Sequence, residues 1–111
     1  MRARAGSALG LLALLLAGCG QPVPADRADY VGEWRAPGMY LLITRDGRVE
    51  YTRSRGGSKT SVSGPLQEFR GDDFRVGVLF LATTFVVSRP PWRDGDRWRM
   101  VVDGVELTRA R

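Results

Sequence analysis

Three Asp-Gly pairs constrain the fold of this chain more than any other feature of its sequence. They lie at 46–47, 94–95 and 103–104. A two-residue hairpin turn of type I′ needs positive φ at both central residues, and Asp-Gly adopts that conformation at little cost. Apolar residues alternate with polar ones beside the first and third pairs, as in half-buried strands. The pairs therefore predict antiparallel strands joined by tight hairpins.

Alternation also predicts which side chains share the core face. The residues expected to face inward are Met39, Leu41, Ile43, Val49, Tyr51, Trp98, Met100, Val102, Val105 and Leu107. Predicted strands cover 30–34, 39–45, 48–55, 60–69, 74–88, 98–103 and 105–109. We place turns at 56–59, 70–73 and 89–97, and a bulge or an edge at Gly64-Pro65, because proline cannot donate to a strand ladder.

The longest apolar stretch, 74–88, is rich in Val, Phe and Thr, which favours a strand over a helix. It is too long for one flat strand, so we expect it to bend near Ala82. No segment shows a convincing helical period. The predicted fold is all-β, a small antiparallel meander over 29–111 that forms a barrel or a two-layer sandwich and follows a cleaved signal peptide.

The N-terminal segment has a different composition. Arg2 and Arg4 precede a run of apolar residues and glycine over 5–17, which only Ser7 interrupts. This run is shorter than the roughly 20 residues of a membrane-spanning helix and matches the core of a signal peptide. Leu16-Ala17-Gly18 and Cys19 follow it directly.

This arrangement resembles the lipobox of bacterial lipoproteins. The resemblance implies cleavage after Leu16, Ala17 and Gly18, so that 1–18 form the signal peptide. It also implies that Cys19 carries a diacylglyceryl group and anchors the chain to a membrane. Residues 19–28 would then form the lipidated N-terminus and a short spacer. Gly20 follows the cysteine where lipoproteins retained in the inner membrane often have aspartate, so the resemblance implies the outer membrane, with the domain facing the periplasm.

Other roles for Cys19 lack the residues that they need. The chain has one cysteine and no histidine, so neither an internal disulfide nor a Cys/His metal site can form. The absence of histidine also removes the Ser-His-Asp and Cys-His arrangements of nucleophilic catalysis. Asp72-Asp73 is interpreted as a solvated turn. We therefore predict no enzyme activity, no cofactor and no metal, and we do not expect nucleic acid as a partner.

A second resemblance concerns the β-domain. Gly32-Glu33-Trp34 begins the first strand and Arg109 lies in the last, which resembles the lipocalin-like pattern of a tryptophan covered by a late arginine. It implies a carrier of a small apolar ligand, with these candidate ligand or core residues: Trp34, Tyr40, Leu42, Phe80, Phe85 and Arg109. The stretch from "GDDFRVG" to "WRMVVDGVELTR" is also similar to short, uncharacterised bacterial β-domains, which implies no mechanism.

A cationic, aromatic surface is the remaining candidate site. Trp92, Arg93, Arg97 and Arg99 lie close together in sequence and suit an envelope polyanion or a lipid headgroup. The alternative is an ordinary solvated strand face. The sequence as a whole predicts a lipid-anchored β-domain that acts in binding or in envelope structure. The alternatives are the lipocalin-like carrier and an inhibitor of an envelope-active enzyme, inserting the loop 54–59 or 89–96.

Overall fold

The computed structural model describes residues 20–111, and residues 1–19, with Cys19 and the cleavage motif, lie outside the described residues. A 3-10 helix over Ala25–Tyr30 precedes the sheet. Nine strands follow: β1 Gly32–Ala36, β2 Met39–Ile43, β3 Arg48–Arg55, β4 Ser58–Arg70, β5 Asp73–Val78, β6 Leu81–Phe85, β7 Val87–Asp94, β8 Arg97–Val102 and β9 Val105–Arg109.

These strands form one antiparallel sheet in the order β6-β5-β4-β3-β2-β1-β9-β8-β7. Sequential strands are neighbours except for β6 and β7, and β1 also pairs with β9, with Trp34 opposite Arg109. The sheet curls into a half-barrel, and β6 and β7 lie at the two ends of the strand order. The prediction of an all-β antiparallel meander is therefore confirmed. There are nine strands where seven were expected, because the segment 74–88 contains a hairpin and the stretch expected to be a turn, 89–97, is mainly strand β7.

The alternation predicted for the core face is largely confirmed. Met39, Leu41 and Ile43 of β2 are buried, and so are Val49 and Tyr51 of β3. In β8 and β9 the fully buried side chains are Met100, Val102 and Leu107, while Trp98 and Val105 are partly buried against them. The concave face of the sheet therefore holds the hydrophobic core, as strict period-2 alternation requires.

The segment 74–88 is interrupted as expected, but by a hairpin turn at Leu79-Phe80 rather than by a bend near Ala82. The chain reverses at Leu79-Phe80, between β5 and β6, and β7 starts directly after Val86. Leu79 has a φ of 54°. This turn contains neither glycine nor asparagine, so the segment carried no recognisable turn signal.

Two other predicted boundaries are corrected. β4 continues through Gly64-Pro65, and its register irregularity lies between Leu66 and Glu68, where its second half pairs with β5. The stretch expected to be a turn, 89–97, is mainly strand β7, and only Gly95 and Asp96 form the turn. Prolines 90 and 91 cannot donate to the ladder, and the pairing of β7 with β8 is irregular between Arg89 and Trp92.

Two aspartates satisfy backbone groups where the chain crosses from one end of the sheet to the other. Asp103 Oδ1 accepts from the Val86 N–H at 2.9 Å, and Asp73 Oδ1 accepts from the Val87 N–H at 2.7 Å. Val86 is the single residue between β6 and β7, and those strands do not pair. Asp73, interpreted from sequence as a solvated turn residue, thus has a structural role.

Candidate functional site

The segment expected to be a spacer lies against the sheet from its first described residue. The Gln21 N–H donates to the Leu66 carbonyl at 3.0 Å, and the Val23 N–H donates to the Arg45 carbonyl at 2.9 Å. A Cβ atom on Gly20 would lie 2.7 Å from the Gly47 oxygen and from the Leu66 nitrogen. The described chain therefore contacts the sheet from Gly20 onward.

The 3-10 helix closes one end of the half-barrel through side-chain contacts to the sheet. The Tyr30 hydroxyl donates to the Asp72 carbonyl at 2.8 Å, and Arg27 Nη2 donates to the Gly71 carbonyl at 2.7 Å. Trp34 Nε1 donates to the Tyr30 carbonyl at 2.9 Å. These contacts join the N-terminal segment to the β4–β5 turn and to the core.

Tyr30 makes this closure sensitive to alkaline pH. Burial raises the pKa of Tyr30 to about 12, and the Asp72 carboxylate adds to the rise. An unfolded tyrosine has a pKa of about 10. The stability that the neutral hydroxyl contributes is complete below about pH 10 and is lost as the pH rises toward 12.

We expect Tyr30→Phe to reduce this pH dependence. The variant is less stable than the wild type near neutral pH by about 1 kcal/mol, because it lacks one hydrogen bond. The difference shrinks between about pH 10 and 12, since phenylalanine has no proton to release. Urea unfolding followed by circular dichroism at several pH values measures the stability difference near neutral pH and its decrease at alkaline pH. A constant difference across that range would contradict the assignment to Tyr30.

Trp34 and Arg109 come together as the sequence suggests. The Arg109 guanidinium carbon lies 5.6 Å from the Trp34 ring centroid and 4.9 Å from that of Trp98. Arg109 Nη1 also donates to the carbonyls of Asp29 and Val31, both at 3.3 Å. Arg109 thus lies over two tryptophan rings and is tied to the segment that leads into β1, which makes it a structural clamp.

Gly32 provides the space for this clamp. Its φ is +142°, and a Cβ atom built on it would lie 2.6 Å from Arg109 Cδ. The glycine, the tryptophan two residues later and the late arginine are therefore linked by packing. The same contacts explain the motif without a bound ligand.

The residues proposed to line a ligand cavity do not meet. Tyr40 and Leu42 point away from the core face, because they alternate with the buried residues of β2. The Tyr40 hydroxyl instead donates to Glu33 Oε2 at 3.3 Å. Phe80 lies in the β5–β6 turn and is 84% exposed. The candidate cavity residues are therefore distributed over the core, the convex face and a hairpin tip.

The interior where the cavity was expected is filled by side chains. Phe85 is buried, with its ring centroid 5.1 Å from that of Phe74 and 4.9 Å from that of Tyr51. Trp34 is also fully buried. Four surface clefts on residues 20–111, of about 120 to 300 Å³, have neither Trp34 nor Phe85 in their walls. This packing favours a core role for both residues.

The candidate cationic surface on β7 and β8 is divided between the two faces of the sheet. Trp92 lies opposite Arg99, while Arg93 lies opposite Trp98, so neighbouring arginines point in opposite directions. Arg89 lies over the Trp92 ring at 3.7 Å. Arg97 is exposed and is the first residue of β8.

Carboxylates neutralise part of this surface. Arg99 Nε lies 2.7 Å from Asp94 Oδ2, and its Nη1 lies 3.4 Å from Glu106 Oε2. Of the two loops proposed for insertion into an enzyme, 54–59 is an exposed hairpin tip, whereas 89–96 is mainly strand. Arg97 and Arg99 share a face with Trp92, whereas Arg93 lies on the other face beside Trp98, so the four candidate residues do not form one continuous surface.

An apolar hairpin tip is the feature that sequence reasoning missed. Val78, Leu79, Phe80 and Leu81 are 59%, 73%, 84% and 75% exposed, and they are four of the five large exposed apolar residues in 20–111. The positive φ of Leu79 costs an L-residue about 1–2 kcal/mol. The tip therefore combines exposed apolar surface with a strained backbone.

Comparison with known proteins identifies no relative. No family model matches the sequence, and neither a curated protein nor a solved structure matches it. Among residues 20–111, no group of three or more Asp, Glu, His or Cys side chains is placed to hold a metal ion. Within that same range, no helix has the length and apolar character needed to cross a membrane.

Proposed function

We propose that this chain is a lipid-anchored envelope lipoprotein whose β-domain acts in binding or envelope structure at the membrane surface. The signal-peptide pattern that ends at Leu16-Ala17-Gly18-Cys19 carries this proposal. Acyl chains on Cys19 would supply the anchor, and two or more such chains hold a protein stably on a membrane. The absence of aspartate at residue 20 favours the outer membrane.

The docking of Gly20 supports a role close to the bilayer. Only the peptide unit between Cys19 and Gly20, which spans about 3.8 Å, would separate the lipidated residue from the folded domain. Gly20 lies close to Gly47 and Leu66, so the described residues add no flexible tether to this one peptide unit. A partner of this domain would therefore be bound within a few nanometres of the headgroups.

A binding or structural role suits the described residues better than catalysis. The chain has no histidine. Several carboxylates of the sheet are engaged by arginine, with Glu50 at 2.9 Å from Arg48 and Glu68 at 2.7 Å from Arg70. The filled interior does not favour the carrier alternative, because a ligand would need space that Phe85 and its neighbours occupy.

Metabolic labelling tests this proposal. Cells of the native host would be grown with an alkynyl palmitate, and the membranes would be separated on a density gradient. We expect the label on this protein and the protein in the outer-membrane fraction. Labelled protein in the inner membrane would correct the assigned membrane, whereas unlabelled protein in the periplasmic fraction would overturn the anchor.

A further inference from the structure

We infer that the β5–β6 hairpin is a second membrane contact, whose tip inserts among the lipid headgroups beside the acylated Cys19. We call residues 78–81 the apolar tip. This inference rests on the proposed lipid anchor. It holds that the bilayer surface is what the most exposed apolar side chains within 20–111 contact. The anchor alone does not imply it, because an anchored domain can expose only polar side chains to the membrane.

The composition of the hairpin suits a lipid surface. No charged residue occurs between Val76 and Ser88. The apolar tip has its four large side chains in water in the isolated domain. Aromatic and aliphatic side chains at a protein surface next to a membrane are stabilised by transfer into the interface.

The backbone of the tip places leucine at a structural disadvantage. Leu79 has a φ of 54°, and among residues 20–111 the only other non-glycine residue with positive φ is Asp103, which belongs to an Asp-Gly turn. Glycine or asparagine would suit the Leu79 backbone better. An apolar side chain that folding does not favour is consistent with a functional requirement.

The position of the hairpin identifies the bilayer as its occupant. Gly20, Val78 and Leu79 line one shallow cleft of about 240 Å³. Neighbouring residues of β4 hold both segments, since the Leu66 carbonyl accepts from Gln21 and Gln67 Nε2 donates to the Leu79 carbonyl, each at 3.0 Å. The acylated residue would directly precede Gly20. Lipid chains entering the membrane there bring the apolar tip to the headgroups.

A fluorescent label at the tip tests this geometry in the lipidated protein. The variant Phe80→Cys would be purified from host membranes, labelled with the thiol-reactive dye NBD and placed in vesicles of phosphatidylethanolamine and phosphatidylglycerol. Ser58→Cys, at the exposed β3–β4 hairpin, is the matched control. Wild-type protein is the blank, because an acylated Cys19 sulfur has no thiol for the dye.

We expect the label at position 80 to shift to the blue, to gain intensity several-fold and to be quenched by nitroxide lipids. The label at position 58 should show none of these changes. The double variant Leu79→Asn/Phe80→Ser should fold, because asparagine suits the turn, and its hairpin amides should lose the protection from hydrogen exchange that vesicles give the wild type.

Each other result overturns one proposal. A water-exposed label at position 80 in protein whose Cys19 takes no dye would end the hairpin proposal and leave the anchor standing. Dye uptake by the wild type would show that Cys19 has a free thiol and would overturn the anchor proposal. If nitroxide lipids then quench the label at position 80 more than they quench the labelled wild type, the hairpin proposal alone would stand. A blue shift that needs host membrane proteins would assign the tip to a protein partner. A blue shift that grows with protein concentration in the absence of vesicles would assign it to a second copy of the chain. Either result would contradict a lipid contact.

Discussion

Cys19→Ala should leave a precursor that keeps residues 1–18, carries no acyl chain and is lost from the outer membrane by about tenfold or more. If Cys19 carries the proposed diacylglyceryl group, its sulfur is the attachment point, and the resemblance to lipoproteins implies that cleavage follows this modification. Stable anchoring takes two lipid signals, so a chain with none has no affinity of that kind. The uncleaved apolar leader would hold the precursor at the inner membrane.

Gel mobility, palmitate labelling and gradient fractionation together measure this change. Ser7→Ala is the matched control, because it alters the leader without altering the four residues that end at Cys19. A Cys19→Ala protein that is cleaved and sorted like the wild type would contradict the anchor. Gly20→Asp would be a poor test of sorting, since any side chain there meets Gly47 and Leu66.

Trp34→Ala should destabilise the domain by about 3–5 kcal/mol. Trp34 is fully buried, and its indole N–H donates to the Tyr30 carbonyl. Its loss opens a cavity, and it also removes one of the two aromatic rings that the Arg109 guanidinium covers. Small domains have about 5–15 kcal/mol of stability in total, so this substitution would remove a large fraction of the free energy of unfolding. Urea unfolding measured by circular dichroism gives the difference.

Trp92→Ala is the matched control for that loss. Trp92 is only half-buried in β7, so we expect its replacement by alanine to lower the free energy of unfolding by about 1 kcal/mol or less. Similar losses for the two variants would contradict the central position assigned to Trp34.

Gly32→Ala tests whether the packing of Arg109 over Trp34 requires glycine at position 32. The new methyl group would collide with Arg109 Cδ and would also strain the backbone at a φ of +142°. We expect destabilisation of about 1–3 kcal/mol. In a double-mutant cycle with Arg109→Ala, part of that loss should disappear, because the collision is removed. Strict additivity of the two substitutions would show that the glycine is required only for its backbone conformation.

Local turn chemistry determined how much of the fold could be predicted. Asp103-Gly104 forms the predicted two-residue turn, with positive φ at both residues. Asp46-Gly47 lies in a longer connection over 44–47, in which Gly47 but not Asp46 has a positive φ. The strand faces beside both turns follow from alternation. The turn at Leu79-Phe80 could not be predicted, because its residues have none of the usual turn preferences. The backbone strain at Leu79 is tolerated because of contacts in the tertiary structure, so the local sequence pattern does not indicate it.

Long-range pairing was the other limit. The contact of β1 with β9 depends on curvature of the whole sheet, which alternation within one strand does not specify. The pairing of Trp34 with Arg109 was expected only through a family resemblance. Tyr40 and Leu42 were assigned to a cavity although they alternate with Leu41, so applying period 2 to every candidate would have excluded them. The docking of Gly20 had no signal, since "GQPVP" has the composition of a linker.

The most direct test of the lipid anchor is the intact mass of the protein extracted from membranes of its native host. We expect a chain that begins at Cys19 and carries the added mass of a diacylglyceryl group, with or without a third acyl chain. An unmodified chain that begins at another residue would contradict the anchor.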